Sequence, residues 1–426
     1  MLSTNCRRST IASVTDAPCV PKISPAASSS TGLQAFEVAE FFAGIGLARL
    51  GLENAGFRVT WANDIERAKW EMYLRQFGDA AQGDFHLGDI TDVRGTDIPE
   101  GTSLAWASFP CTDLSLAGGR GGLAGKQSGT FWQLVRVLKE IDYSRPAIVA
   151  LENVNGLATS HKGADLSAAI SALNQLGYSV DIMTIDARRF VPQSRPRLFI
   201  VAVQHDVLSA AISAGLPLRP THTGPQPFCV TESQTRPKWL SGFFENQDLE
   251  THRFDLRDLP PLLDGGLTTQ AEEMRLSDER WWSEERIVRF VAELSDVQKA
   301  RLDDLTMNAR SPIYRSAYRR TRKGKPAWEI RADDIAGCLR TARGGSSKQA
   351  IVRIQRGSPL RARWMTPIEY ARLMGASSYV ISDIRKNQAL FGFGDAVCVP
   401  VVEWLGHNYF RPILAIASAG TVSSAP

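Results

Sequence analysis

Glu37-Val38-Ala39-Glu40-Phe41-Phe42-Ala43-Gly44-Ile45-Gly46 is an apolar run of strand length that breaks into a glycine-containing turn. A helical pattern starts at Leu47, and Phe57 to Ala62 reads as a second strand. Outward from this unit the same alternation repeats. Leu104 to Ala107, Ala147 to Leu151, Tyr178 to Asp186 and Arg197 to Val203 are further apolar runs. Between them, Leu134, Val137, Leu138 and Ile141 fall at i, i+3, i+4 and i+7, the stripe of an amphipathic helix over Phe131 to Ile141. Strands alternating with helices predict a doubly wound, mostly parallel α/β sheet over residues 36–205. The last two runs are expected at its far edge.

The ends of these runs carry the chemistry. Gly44 and Gly46 allow a ligand to approach the backbone and the helix N-terminus closely. The full dinucleotide fingerprint is missing, because Arg49 occupies its third glycine position. Asp64 lies twenty residues after Gly44, where an acid accepts ribose hydroxyls, and Asp89 follows a third short run. Each aspartate alone reads as a surface turn. Together they describe an adenosine pocket without a diphosphate cradle, which suits S-adenosylmethionine better than a nicotinamide dinucleotide. Pro110-Cys111 follows Leu104 to Ala107, Glu152-Asn153 follows Ala147 to Leu151, and Gln193-Ser194-Arg195-Pro196-Arg197 opens the next run. A thiol, a carboxyl and a guanidinium at strand termini suit covalent activation of a pyrimidine. A thiolate added to carbon 6 makes carbon 5 nucleophilic, a carboxylic acid donates to N3, and an arginine faces O2. Arg195 is expected to orient Glu152 or a phosphate. Singly, each has a plain structural reading as a core thiol, a helix cap or a surface arginine; the ordered set does not.

Past residue 205 the pattern breaks into Pro- and Gly-rich segments, and a second, irregular lobe is expected over 206–350. A charged helical stretch is expected from Trp281 to Leu305. After it, Arg310 to Lys325 holds seven basic residues and no acidic one, either a solvated loop or a phosphate-tracking surface. Thr366-Pro367-Ile368-Glu369 is a capping box with proline at the first helical position. Residues 351–426 then return to complete the first domain. The first 35 residues, rich in Ser, Thr, Ala and Pro, read as a disordered tail.

Lys+Arg 49 against Asp+Glu 45 leaves a net charge of only +4, so overall charge says little about partners. Six cysteines without a CxxC pair indicate neither a zinc site nor a disulfide framework, and no metal is expected. A reducing cytoplasm fits, and no membrane span is expected.

With these motifs in this order, the sequence resembles the DNA (cytosine-5)-methyltransferase family over roughly residues 36–205 and 361–410. The resemblance implies a Rossmann-like fold of the S-adenosylmethionine-dependent type. It implies that Phe42, Ala43, Gly44, Ile45, Gly46 and Leu47 wrap the methionine half, with the Phe42 ring near the sulfonium. Asp64 with Ile65 and Asp89 with Ile90 would flank ribose and adenine. Pro110 and the segment Gly394-Asp395-Ala396-Val397 would close the pocket. The family usually carries asparagine where this chain has Asp395. Catalysis would fall to Cys111, Glu152, Arg195 and Arg197, on a cytosine flipped out of double-stranded DNA. Ser115 to Gly129, with six glycines, would form the lid. The 206–350 lobe would recognise the target. A monomer on DNA is expected, with a cognate restriction endonuclease or phage-defence system as companion. A related branch methylates transfer RNA and carries Cys-Phe-Thr in the recognition region. This chain has Phe228-Cys229-Val230 instead, which favours DNA. A catalytically silent DNA-binding subunit is a rival, against which the intact residue set speaks. A thymidylate-synthase-like enzyme is another, which would need neither Phe42 to Gly46 nor a basic lobe.

Overall fold

Strands buried on both faces must be apolar at successive positions, and the runs above become such strands. The computed structural model describes residues 35–110, 122–125, 129–221, 233–256, 259–322, 324–340 and 348–422. Cys111, Phe228-Cys229-Val230 and most of Ser115 to Gly129 lie outside these. Seven strands, β1 (Phe36–Phe41), β2 (Phe57–Asp64), β3 (Phe85–Leu87), β4 (Leu104–Ala107), β5 (Ile148–Asn153), β6 (Tyr178–Asp186) and β7 (Pro196–Gln204), form one sheet in the order β3-β2-β1-β4-β5-β7-β6. Only β7 runs antiparallel to its neighbours, and it lies inside β6 rather than at the edge. The strand order reverses between β1 and β4, so a crevice opens there at the carboxyl ends of the strands.

Helices cover both faces. Phe131, Leu134, Val137 and Leu138 of helix Thr130–Ile141 bury on one side. Helices Leu47–Asn54 and Val399–Leu405 pack together on the other. A Cβ on Gly51 would sit 2.7 Å from both the Val399 carbonyl oxygen and the Val402 Cβ, so this contact requires glycine. Through it the C-terminal segment rejoins the first sheet. The apolar helical run Lys386–Ala419 is long enough to cross a membrane, but 67% of its most apolar window is buried inside the protein.

Residues 206–350 are more regular than expected. After a short pair, β8 (Leu218–Pro220) and β9 (His252–Phe254), four antiparallel strands form a second sheet. They are β10 (Ile313–Arg322), β11 (Lys325–Ile330), β12 (Gln349–Ile354) and β13 (Arg361–Trp364), in the order β11-β10-β12-β13. This sheet runs across residue 350. Helices Glu284–Ala292 and Asp296–Asn308, N-capped by Ser283 and Ser295, cover it around Trp282, Phe290 and Trp328. Four of the seven basic residues are paired laterally: Arg315 with Asp334, Arg319 with Glu293, and Arg320 and Arg322 with Glu329. Thr366 caps helix Pro367–Leu373 as read, and the capping Glu369 is also buried against Arg363, 2.8 Å away.

Candidate active site at the strand switch point

The turn after β1 is built from backbone geometry. Phe42, Gly44 and Gly46 all have positive φ, at 55°, 59° and 77°. A Cβ on Gly46 would strike the rings of Phe77 and Tyr73, so this glycine serves packing. A Cβ on Gly44 would meet nothing closer than Lys69 Cδ at 3.9 Å, which leaves the space beside that backbone open. Asp64, 6% exposed, accepts from the Gly44 amide through Oδ2 and from the Glu66 amide through Oδ1, both at 2.8 Å. It thus locks the two turns at the ends of β1 and β2. Ile65 beside it is 62% exposed, and Asp89 caps its own turn through the Thr91 amide. Ile45, Leu47, Ile90 and Val397 turn their side chains into the core, so only their backbone can face a ligand. Glu40, buried at the end of β1, accepts from the Arg49 amide at 3.2 Å, and burial pushes its carboxyl up to about 8.

Asp395, the departure from the family pattern, ends helix Lys386–Asp395 and pairs with Lys69 of helix Arg67–Phe77 at 3.2 Å. Burial lowers the Lys69 pKa, but Asp64, Asp395 and Glu66 outweigh it and hold the ammonium above its ordinary value. A cavity of about 200 Å³ opens beside this pair, lined by Glu66, Lys69, Gln388, Phe391, Gly392 and Asp395.

On the other side of the crevice, the antiparallel register sets Glu152 and Asn153 near the start of β7. Glu152 Oε1 forms an ion pair with Arg197 Nε at 2.9 Å, with the two side chains 8% and 16% exposed. Asn153 is buried, and its Nδ2 donates to the Phe109 carbonyl at 3.1 Å, fixing the backbone immediately before Pro110. Arg195 does something other than expected. Its Nη atoms donate to the carbonyls of Leu339 (2.7 Å), Gly394 (3.2 Å) and Ala396 (2.7 Å). It is a buried clamp on the carbonyls either side of Asp395, and orienting Glu152 falls to Arg197. Among the described residues no cluster of His, Cys, Asp and Glu could hold a metal ion.

The sequence profile of the C-5 cytosine-specific DNA methylase matches residues 36–411. The chain belongs to this family. Among curated methylases it is similar to type II methyltransferase M.BsuFI of Bacillus subtilis, 35% identical over 169 residues, which are 39% of each chain. It is 30% identical over 178 residues to M.HhaI of Haemophilus parahaemolyticus, covering 42% of this chain and 51% of that one. The chain thus spans about half the length, or less, of these relatives. In fold it is similar to the Dnmt2 methyltransferase of S. pombe, with a TM-score of 0.51 at 16% identity over 89% of this chain and 98% of that one. The Spodoptera frugiperda DNMT2 mutant gives 0.54 at 16%, over 89% and 100%.

Sequence reading missed several residues that shape this methylase site. Lys69 had one signal, since an aspartate in the usual place of asparagine calls for a cation. Gln193, fully buried, accepts from the Leu339 amide and donates to the Leu373 carbonyl, joining three distant segments. Cys338 had none.

Proposed function

We propose that this methylase transfers a methyl group to carbon 5 of a cytosine flipped out of double-stranded DNA, through a covalent Cys111–C6 adduct. The observation that carries the reading is the Glu152–Arg197 pair at the switch-point rim, beside the strand that leads into Pro110-Cys111. Carbon 6 is hidden in a stacked duplex, so the base must leave the helix. As the Cys111 sulfur bonds to C6, negative charge moves onto the ring. Arg197 meets it at O2, and Glu152 gives a proton to N3. Carbon 5 then has the electron pair to take a methyl group. Loss of the C5 proton to a base, breakage of the C–S bond and return of the N3 proton to Glu152 restore the aromatic ring, the thiolate and the acid.

S-adenosylmethionine, when bound, supplies an electrophilic methyl on a positive sulfur. The residues at the β1–β2 turns fit it. The Gly44 approach is open, Asp64 keeps lone pairs beyond its two amide partners, and exposed Ile65 offers the apolar surface that an adenine ring would cover. The family's description supports DNA as substrate, and the relatives are type II methyltransferases of bacteria; a restriction endonuclease as companion and a bacterial cytoplasm belong to the same proposal.

Cells that express the chain should carry 5-methylcytosine in a fixed sequence context of their DNA, read by sequencing. Cys111→Ala should abolish it while cofactor affinity, measured by calorimetry, stays nearly unchanged. DNA containing 5-fluorocytosine should trap the wild type covalently, because fluorine blocks the final elimination. Methylation by Cys111→Ala, or a methyl label found in transfer RNA rather than DNA, would overturn the reading.

A further inference from the structure

A second thiol stands at the rim. Cys338 lies far along the chain from β7, yet its backbone is zippered to the segment that leads into that strand. The Ala336 amide donates to the Pro192 carbonyl at 2.7 Å, and the Ser194 amide to the Ala336 carbonyl at 2.9 Å. The Leu339 amide donates to Gln193 Oε1 at 3.0 Å. The Gly337 amide reaches Ser316 Oγ on β10 at 3.3 Å. Four hydrogen bonds over four residues over-determine where this half-buried side chain sits.

Its sulfur faces two guanidinium groups. Arg195 Nη1 lies 3.5 Å away, and Arg197 Nη1 and Nη2 lie 4.0 and 3.9 Å away. The Nε edge of the same Arg197 carries Glu152 at 2.9 Å. A planar guanidinium held at two edges cannot rotate about its last bonds, so the proton donor and the O2 donor of the proposed reaction share one fixed frame. We infer that Cys338 is a positioning residue for the methyl transfer proposed above, its sulfur holding the Nη edge of Arg197 while the Nε edge holds Glu152. The inference rests on that reading of the reaction.

The thiol also has a charge state that matters. Burial raises its pKa, but Arg195, Arg197 and Arg340 together outweigh burial and set it below the ordinary thiol value. The groups that face it are Arg195 and Arg197 from the start of β7, Arg340 from its own segment, and Tyr370 from helix Pro367–Leu373. A neutral thiol leaves the positive charge of Arg197 for the ring. A thiolate claims that charge, so methyl transfer slows as Cys338 ionises.

The test compares wild type, Cys338→Ala and Cys338→Ser in single-turnover methyl transfer to duplex DNA across pH. Alanine removes the sulfur from the Nη edge and leaves Nη1 its other acceptor, the Pro196 carbonyl at 2.9 Å. The alanine variant's rate at neutral pH should fall on the order of tenfold, the scale of one hydrogen bond to a charged group. Calorimetric affinity for S-adenosylmethionine should stay the same, which also shows that the variant is folded. Serine accepts the same hydrogen bonds without ionising, so it should restore the rate and keep it at alkaline pH where the wild type declines. An active wild type whose alanine variant matches it in rate and pH profile overturns the inference alone, as does a folded serine variant no faster than alanine. A wild type that transfers no methyl group overturns the reaction, and the inference with it.

Discussion

Two carboxylate–guanidinium pairs are built on strands of the same seven-stranded sheet, one saturated in its interior and one at its rim. Asp181, in the middle of β6, meets Arg236, and the two are 0% and 2% exposed. Arg236 Nε donates to Asp181 Oδ1 at 3.1 Å, and Oδ2 also takes the Phe254 amide and the Tyr409 hydroxyl. Tyr409 in turn meets His252, whose other ring nitrogen meets Ser179. Every polar edge is occupied, and the network ties residues 233–256 and the C-terminal segment to β6. Glu152 and Arg197 sit instead at strand ends, where Arg197 turns its Nη edge to a thiol and to the Pro196 carbonyl rather than to a carboxylate. A saturated pair is structure. A pair that turns donors toward the rim can exchange them for a substrate.

The largest effect should come from disabling the rim pair. Glu152→Gln keeps the shape and can still accept from Arg197, but it has no proton to deliver to N3. Methyl transfer should fall by about 10²–10⁴-fold, the range for a lost general acid, while the unfolding midpoint barely moves. Radiolabel transfer and denaturant titration of one preparation give both numbers. A retained rate would remove the chemical side of the comparison.

Asp181→Asn should do the reverse. It leaves Arg236 buried without its counter-charge, which costs about 3–5 kcal/mol when one partner of such a pair is removed. The midpoint should drop accordingly, while the rate per folded molecule holds at permissive temperature. A variant as stable as wild type would mean that Thr235 Oγ1 and the Phe254 carbonyl, which also accept from Arg236, suffice to hold that guanidinium.

The same contrast explains what the sequence disclosed. Parallel strands buried on both faces are continuous apolar runs, so their ends, and the groups placed there, are marked in the chain itself. Glu152, Arg197 and the Phe42 to Gly46 turn were legible for that reason. The basic run from Arg310 was not, because Glu293, Glu329 and Asp334, which pair with four of its arginines, come from other segments. Cys338 and the Lys69–Asp395 pair were hidden for the same reason: each contact forms only after the long return of the chain. Arg195 was visible as a residue but misread in role, since the carbonyls it clamps lie about 200 positions away in part.

The smallest effect concerns Asp395, and the Lys69 pair changes what to expect of it. Alone, an aspartate beside the sulfonium would favour the cationic S-adenosylmethionine over the neutral product, S-adenosylhomocysteine. Here its charge faces Lys69 at 3.2 Å and is 39% exposed, so most of its field is already answered by the ammonium and by water. Asp395→Asn should therefore change the preference between the two ligands by less than about 1 kcal/mol, the range of a partly solvated pair. Asp64 and Glu66 remain to keep Lys69 charged in the variant. Calorimetry with both ligands on both proteins reads the difference. A shift of tenfold or more would mean that Lys69 leaves Asp395 when the cofactor binds, and that this aspartate acts on the sulfonium directly.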